Sequence, residues 1–147
     1  MSVAVSEKIH APRARVWEII TDIENAAETI SAIKELTVLE RPESGLIGTK
    51  WTETRVMFGK DAQETMWISA AEDQQWYETT AENHGAIYKS RLEIRDADEG
   101  VELSMRFDAT PTNFKSRIMC GMFSLFQGSA KKALQQDLKD IKARAES

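Results

Sequence analysis

Apolar and polar residues along the chain change their period twice. Ser2 to Ile9 fits a first strand. "HAPRARVWEIITD" then takes helical spacing, with Val16, Trp17, Ile19, Ile20 and Ile23 as its apolar stripe. Pro12 suits the first turn, where a missing N–H is harmless. "ENAAETISAI" reads as a second short helix, with Ala26, Ala27, Ile30 and Ile33 three or four apart. From Lys34 to Thr110 the pattern is strands and turns, punctuated by "RPESG", "FGK", "AEDQQ", "ENHG" and "RDADEG". Turn signals at this spacing predict consecutive hairpins of an antiparallel sheet. Six strands fit: Glu35–Arg41, Thr49–Phe58, Asp61–Ala70, Trp76–Glu82, Ala86–Arg95 and Val101–Ala109. After "TPTN" a long helix begins, capped by Thr112 or Asn113. Phe114, Ile118, Met122, Phe126, Ala130, Leu134, Leu138 and Ile141 recur along it, and Gly121 and Gly128 weaken or bend it.

Turn chemistry sets an expected register. With Gly59-Lys60 as a two-residue loop, Arg55 opposes Glu64, Glu53 opposes Met66 and Trp51 opposes Ile68. With "NHG" as a three-residue loop, Thr80 opposes Tyr88, Glu78 opposes Ser90 and Trp76 opposes Leu92. With "DADE" as a four-residue loop, Ile94 opposes Val101, Leu92 opposes Leu103 and Tyr88 opposes Phe107. The other face carries Lys89, Arg91, Glu93, Glu102, Ser104 and Arg106 and is solvated. A sheet with one wet face must bury the other. The C-terminal helix is the only element long enough to cover it. Its first half is apolar over a wide arc: Ile118, Met119, Met122, Phe123, Leu125 and Phe126. The expected architecture is α+β: a curved seven-stranded antiparallel sheet around a long C-terminal helix, with two short helices between strands 1 and 2.

Composition narrows the picture. The chain has 147 residues, the usual size of one domain, so residues 1–147 are expected to fold as one unit. Formal net charge is −5, which argues against nucleic acid as the main partner. No run reaches the length of a membrane span, so stable membrane insertion is not expected. The start, "MSVAVSEKIHAP", lacks the features of a signal peptide, and a cytoplasmic location is the expectation. Cys120 is the single cysteine, and beside Met119 and Met122 it reads as a packed thiol. His10 and His84 fall in a connection and a turn, and two distant histidines make neither a zinc site nor a triad. No Gly-rich phosphate loop or metal-ligand cluster appears, so no cofactor or metal is expected. The pattern specifies no oligomeric state.

The candidate chemistry lies on the inferred inner face. It holds Glu53, Arg55, Glu64, Glu78, Thr80, Tyr88 and Ser90. A wholly apolar core would not tolerate them, since buried charges cost several kcal/mol unless paired. Either they line a solvated pocket, or they sit near strand ends with Arg55 and Glu64 as a rim ion pair.

At this point the chain resembles the START-like (SRPBCC, helix-grip) superfamily, and more narrowly its polyketide cyclase/dehydrase-like branch. The residues that carry the resemblance are "VAVSEKIHAPRARVWEIITDIEN", "GLIGTKWTET", "MWISAAEDQQW", "GVELSMRFD" and "ALQQDLKDIKARAE". The resemblance covers nearly the whole chain. It implies a cavity between sheet and helix that takes a hydrophobic or amphipathic small molecule, such as a lipid, polyketide or quinone. Trp51, Met66, Ile68, Met105, Phe107, Met122 and Phe123 would supply apolar walls, and Glu53, Arg55 and Tyr88 polar anchors. A second reading is a cyclase or dehydratase in which Glu53, and with it Tyr88, moves a proton. A third is a protein–protein adaptor, which would need an exposed apolar patch that the solvated outer face does not offer.

Overall fold

The computed structural model describes residues 2–57, 59–83, 85–115, 117–118 and 127–147. Strand β1 (Ser2–Ile9) leads into helix α1 (Arg13–Thr21), a 3₁₀ turn (Ile23–Asn25) and the short helix α2 (Ala26–Thr29). Six strands follow: β2 (Ile33–Glu40), β3 (Lys50–Met57), β4 (Lys60–Glu72), β5 (Trp76–Asn83), β6 (Ala86–Ala97) and β7 (Gly100–Pro111). Helix α3 (Gln127–Ala145) ends the chain. The strands form one seven-stranded sheet in the order β1-β7-β6-β5-β4-β3-β2, antiparallel throughout. The expected α+β class and element order hold.

α1 buries Val16, Trp17 and Ile20, the predicted stripe. Pro12 stands just outside the helix as its N-cap, and its carbonyl accepts from the amides of Arg15 and Val16. Arg13 fixes the start of α1 to the sheet: its guanidinium donates to Gln74 O (2.7 Å), Ile94 O (3.0 Å) and Asp96 Oδ1 (2.8 Å). At the other end of α1, the buried Tyr77 hydroxyl donates to Ile20 O at 2.7 Å. That bond satisfies one of the carbonyls that every helix C-terminus leaves open.

α3 shows that the sheet curls. On one side it reaches β1: Gln135 Nε2 donates to Ser6 O (3.0 Å) and Lys142 Nζ to Lys8 O (2.6 Å). On the other it reaches β3, where Arg55 Nη1 donates to Asp137 Oδ2 at 2.7 Å. β1 and β3 are five strand spacings apart in the sheet order. In a flat sheet that is about 24 Å, against a helix about 10–12 Å wide. One helix touches both only if the sheet wraps around it. Register shifts at Ile33/Glu35, Val38/Glu40 and Ile68/Ala70 supply local bends. The core between helices and sheet includes Ile9, Val16, Ile68, Ile94, Leu103 and Leu138.

Three hairpins differ from the expected register. In β3–β4, Met57 pairs with Lys60 and Gly59 takes φ +77°, so glycine closes the turn instead of opening it. Every pair shifts by two residues and the faces survive: Trp51 opposes Met66, Glu53 opposes Glu64 and Arg55 opposes Ala62. In β6–β7, Ala97 pairs with Gly100 and Glu99 takes the positive φ, so Ile94 opposes Leu103, Leu92 opposes Met105 and Tyr88 opposes Ala109. In β5–β6, Asn83 pairs with Ala86, a slip of one residue, and a slip of one reverses the faces of β5. Tyr77, Thr79 and Ala81 therefore share a face with Leu92, Ser90 and Tyr88. Trp76, Glu78 and Thr80 turn outward. There Arg91 lies over the Trp76 ring at 3.8 Å, and Glu78 meets Arg91 (3.7 Å) and Lys89 (3.9 Å). Adjacent aromatics at positions 76 and 77 offer a bulky side chain for burial in either register.

The apolar arc expected early in the last helix is corrected in part. Phe114 and Ile118 are exposed, whereas α3 reaches the sheet at Gln127, which donates to Ser2 O at 2.8 Å. Met119, Cys120, Met122, Phe123, Leu125 and Phe126, like His84, lie outside the described residues.

Two glycines separate two costs. A Cβ on Gly100 would lie 2.1 Å from Ile9 O, a backbone atom that cannot yield, whereas one on Gly59 (φ +77°) would meet nothing within 4 Å. Urea unfolding should show Gly59→Ala costing about 1 kcal/mol from backbone strain alone, and Gly100→Ala costing clearly more, above about 2 kcal/mol. Equal costs would contradict the β1–β7 contact described above.

Candidate functional site

The site is built on alternate residues of β3. Trp51, Glu53 and Arg55 point to the sheet's inner face, since alternate strand residues share a side. Glu53 is 6% exposed and Trp51 is 5% exposed. α3 brings Asp137, 2% exposed, down onto the same point. Arg55 joins the two acids. Its Nη1 bonds Asp137 Oδ2 at 2.7 Å, and its Nη2 stands 3.7 Å from Glu53 Oε2, a charge contact too long for a hydrogen bond. The Trp51 indole N–H reaches Glu53 Oε1 at 3.5 Å. Among the described residues, Glu53 Oε2 and Asp137 Oδ1 have no hydrogen-bond donor.

Two buried carboxylates around one guanidinium leave a negative charge uncompensated. Burial pushes the Glu53 carboxyl above the ordinary glutamate range; Arg55 and the Trp51 indole pull it down, and Asp137 adds to the rise. Burial likewise raises Asp137, against the opposing pull of Arg55. Burial works against the Arg55 charge, but Asp137 and Glu53 outweigh it and hold the guanidinium firmly protonated. Burial, helped by Glu53, also raises the Tyr77 hydroxyl, which stays neutral.

A cavity of about 110 Å³ opens beside this cluster among the described residues, with Glu53, Arg55 and Asp137 in its wall. The remaining wall is largely apolar. The sheet contributes Trp51, Met66, Leu92 and Met105; α1 contributes Ile19 and Ile20; the segment around α2 contributes Ile23, Ala26 and Ile30. Thr79 and Ser90 also line it, their hydroxyls paired with each other at 2.5 Å. The α2 segment is pinned by Ser31, whose amide (2.9 Å) and hydroxyl (2.8 Å) both donate to Asp140 Oδ2 on α3.

Of the residues proposed from sequence, Trp51, Glu53, Arg55, Met66 and Met105 meet at this cavity. Ile68 is fully buried in the core beside it. Tyr88 and Phe107 stack on each other, ring centres 5.9 Å apart, away from the cavity wall. Met122 and Phe123 lie outside the described residues. Arg55 pairs with Asp137, not with Glu64, whose carboxylate accepts both bonds of the Asn83 amide at 3.0 Å. Sequence reasoning missed Asp137 and Tyr77. The signal for Asp137 was present: with Leu134, Leu138 and Ile141 it falls on the apolar stripe of α3. Among the described residues no group of three or more His, Cys, Asp or Glu is placed to hold a metal ion, and no helix is long and apolar enough to cross a membrane.

The family model described as "Polyketide cyclase / dehydrase and lipid transport" matches residues 1–146. Among curated proteins, none matches the chain in sequence. Solved structures share its fold. The Zhui aromatase/cyclase from Streptomyces sp. R1128 superposes with a TM-score of 0.83 at 13% identity, covering 99% of this chain and 93% of that one. The protein TTHA0849 from Thermus thermophilus superposes with a TM-score of 0.80 at 19% identity, covering 99% and 97%. A START superfamily protein from Mycobacterium smegmatis gives a TM-score of 0.78 at 14% identity, again covering 99% and 97%.

The raised Glu53 carboxyl has a signed consequence for stability. A carboxyl raised on folding binds its proton more tightly in the folded chain. Its stabilising contribution is full below the ordinary glutamate range and is lost as pH rises through the folded value. Glu53→Gln keeps the shape and removes that titration. From acid conditions to about pH 8, urea unfolding should show the variant gaining stability relative to wild type. A difference that stays flat or moves the other way would contradict the assigned burial of this charge.

Proposed function

This chain belongs to the polyketide cyclase / dehydrase and lipid transport family, and we propose that it binds a hydrophobic or amphipathic small molecule in the cavity between β3 and α3. One observation carries this reading. An apolar chamber carries a charged cluster in its wall, and two buried carboxylate oxygens of that cluster, Glu53 Oε2 and Asp137 Oδ1, have no hydrogen-bond donor among the described residues. Apolar walls with a few convergent polar groups are the usual make-up of a ligand site. The apolar wall supplies affinity by removing surface from water, at about 25 cal/mol per Å², and the cluster fixes orientation. The cavity, about 110 Å³, suits a single ring or the end of a chain. It is smaller than the ~300 Å³ at which drug-sized sites begin. A larger ligand would displace the α2 segment, which lies over the cavity and is held to α3 through Ser31 and Asp140.

A second reading, a cyclase or dehydratase, is favoured by the same Glu53. A carboxyl raised by burial holds a proton more readily than an ordinary glutamate and can return it to a bound substrate. Tyr88 is not among the residues that line the cavity, so this reading rests on Glu53. If Glu53 is the proton carrier, Glu53→Gln should abolish deuterium exchange into an enolisable 1,3-diketone while leaving the diketone's affinity within about threefold. Loss of affinity and exchange together would make Glu53 a binding residue only.

Ala26 lies on α2 and lines the cavity. Ala26→Phe should fill the space and weaken binding of benzyl alcohol at least roughly tenfold, about 1.4 kcal/mol, read from the methyl resonances of Met66 and Met105. Unchanged affinity in a folded variant would move the binding site elsewhere.

A further inference from the structure

The polar groups around the cavity are already divided by role. The Tyr77 hydroxyl is spent on Ile20 O at 2.7 Å. The Thr79 and Ser90 hydroxyls hold each other at 2.5 Å. The Trp51 indole N–H faces Glu53. Arg55 directs one terminal nitrogen to Asp137 at 2.7 Å and the other toward Glu53 at 3.7 Å. Thr29, at the α2 end of the wall, can both donate and accept and discriminates neither way. Among the described residues, the fully buried polar atoms left without a hydrogen-bond partner are acceptors only: Glu53 Oε2 and Asp137 Oδ1, on side chains 6% and 2% exposed. A buried acceptor left unmatched costs about 1–3 kcal/mol, more when charged.

We propose that the polar end of the ligand is a hydrogen-bond donor, a hydroxyl or a protonated amine on an apolar body, and not an acid group. The proposal rests on the reading of this cavity as the binding site and specifies what that site selects. A donor would satisfy an orphaned oxygen, and an ammonium would also offset the excess negative charge of two carboxylates around one guanidinium. A carboxylate or phosphate would meet like charge on both sides of an arginine already engaged by Asp137 and Glu53. Selection against the anion comes from repulsion as much as from attraction to the donor.

The test uses the full chain and four probes of one shape: benzyl alcohol, benzylamine, benzoate and toluene. Binding is read from the Met66 and Met105 methyl resonances, which report this cavity. Benzyl alcohol or benzylamine should saturate the shifts at concentrations at least roughly tenfold below benzoate and below toluene. Glu53→Gln removes one of the carboxylates without changing shape, and should shrink the disadvantage of benzoate several-fold. Asp137→Asn should shrink it further by freeing Arg55. If either variant fails to fold, the wild-type series decides alone. Benzoate or toluene binding as tightly as both donors would overturn the donor proposal and leave the cavity reading standing. No shift at Met66 and Met105 with any of the four probes would overturn both.

Discussion

Arg55 and Asp137 meet at 2.7 Å, one on the third strand and the other on the last helix, and the architecture turns on that contact. It joins two elements 82 residues apart in sequence. It also closes the sheet around α3, because β1 holds the opposite side of the same helix through Gln135 and Lys142. Where Leu138 and Ile141 pack directly into the core, Asp137 on the same helix meets a guanidinium instead. Three charged side chains thus stand at a seam where apolar ones would interlock. The cavity lies along this seam, with all three in its wall.

The rest of the site follows from what covers the seam. α1 is held rigidly, by Arg13 at its start and the Tyr77 hydroxyl at its end, and its Ile19 and Ile20 form a fixed wall. α2 is a different kind of element. Four residues make little more than one helical turn, and none of the four is fully buried. Short helices gain little from their own hydrogen bonds and depend on packing. The α2 segment packs Ile23 and Ile30 against the core and carries polar contacts at its margins, Ser31 on Asp140 and Arg41 on Glu24. Such contacts exchange readily with water. The cavity thus lies between α1, tied to the sheet at both ends, and the shorter α2 segment, tied to α3 through Ser31.

Much of the fold was legible in the sequence, since it rests on periodicity. The first strand, the stripe of α1 and the six later strands are each specified by local apolar spacing and turn residues, and the observed strand bounds differ by at most two residues. Register was less legible. The turns at Gly59 and Glu99 moved pairs by two, which preserves faces, so Trp51, Glu53 and Arg55 kept their side. The β5–β6 turn moved pairs by one, which does not, and Trp76, Glu78 and Thr80 changed sides. Aromatic residues on both faces of β5 gave hydrophobicity no means of choosing. The partner of Arg55 was not legible locally. Glu64 offered a cross-strand match, while Asp137 depends on how the sheet curls, a property of all seven strands together.

Stability alone does not account for the cluster. Burying an ion pair or triad is expensive, and replacing one with apolar side chains of similar volume is often neutral or stabilising by about 1–4 kcal/mol. A curled sheet around a helix could be closed by leucine and methionine, which this chain already places nearby at Leu92, Met66 and Met105. The cluster also has more acid than base, so it is not even optimised as an internal pair. Its orphaned oxygens lie on residues of the cavity wall, and not in the packed interior around Ile9 and Leu103. A charge arrangement that is poor as structural glue, on residues of a cavity wall, is what the proposed binding role accounts for and packing alone does not.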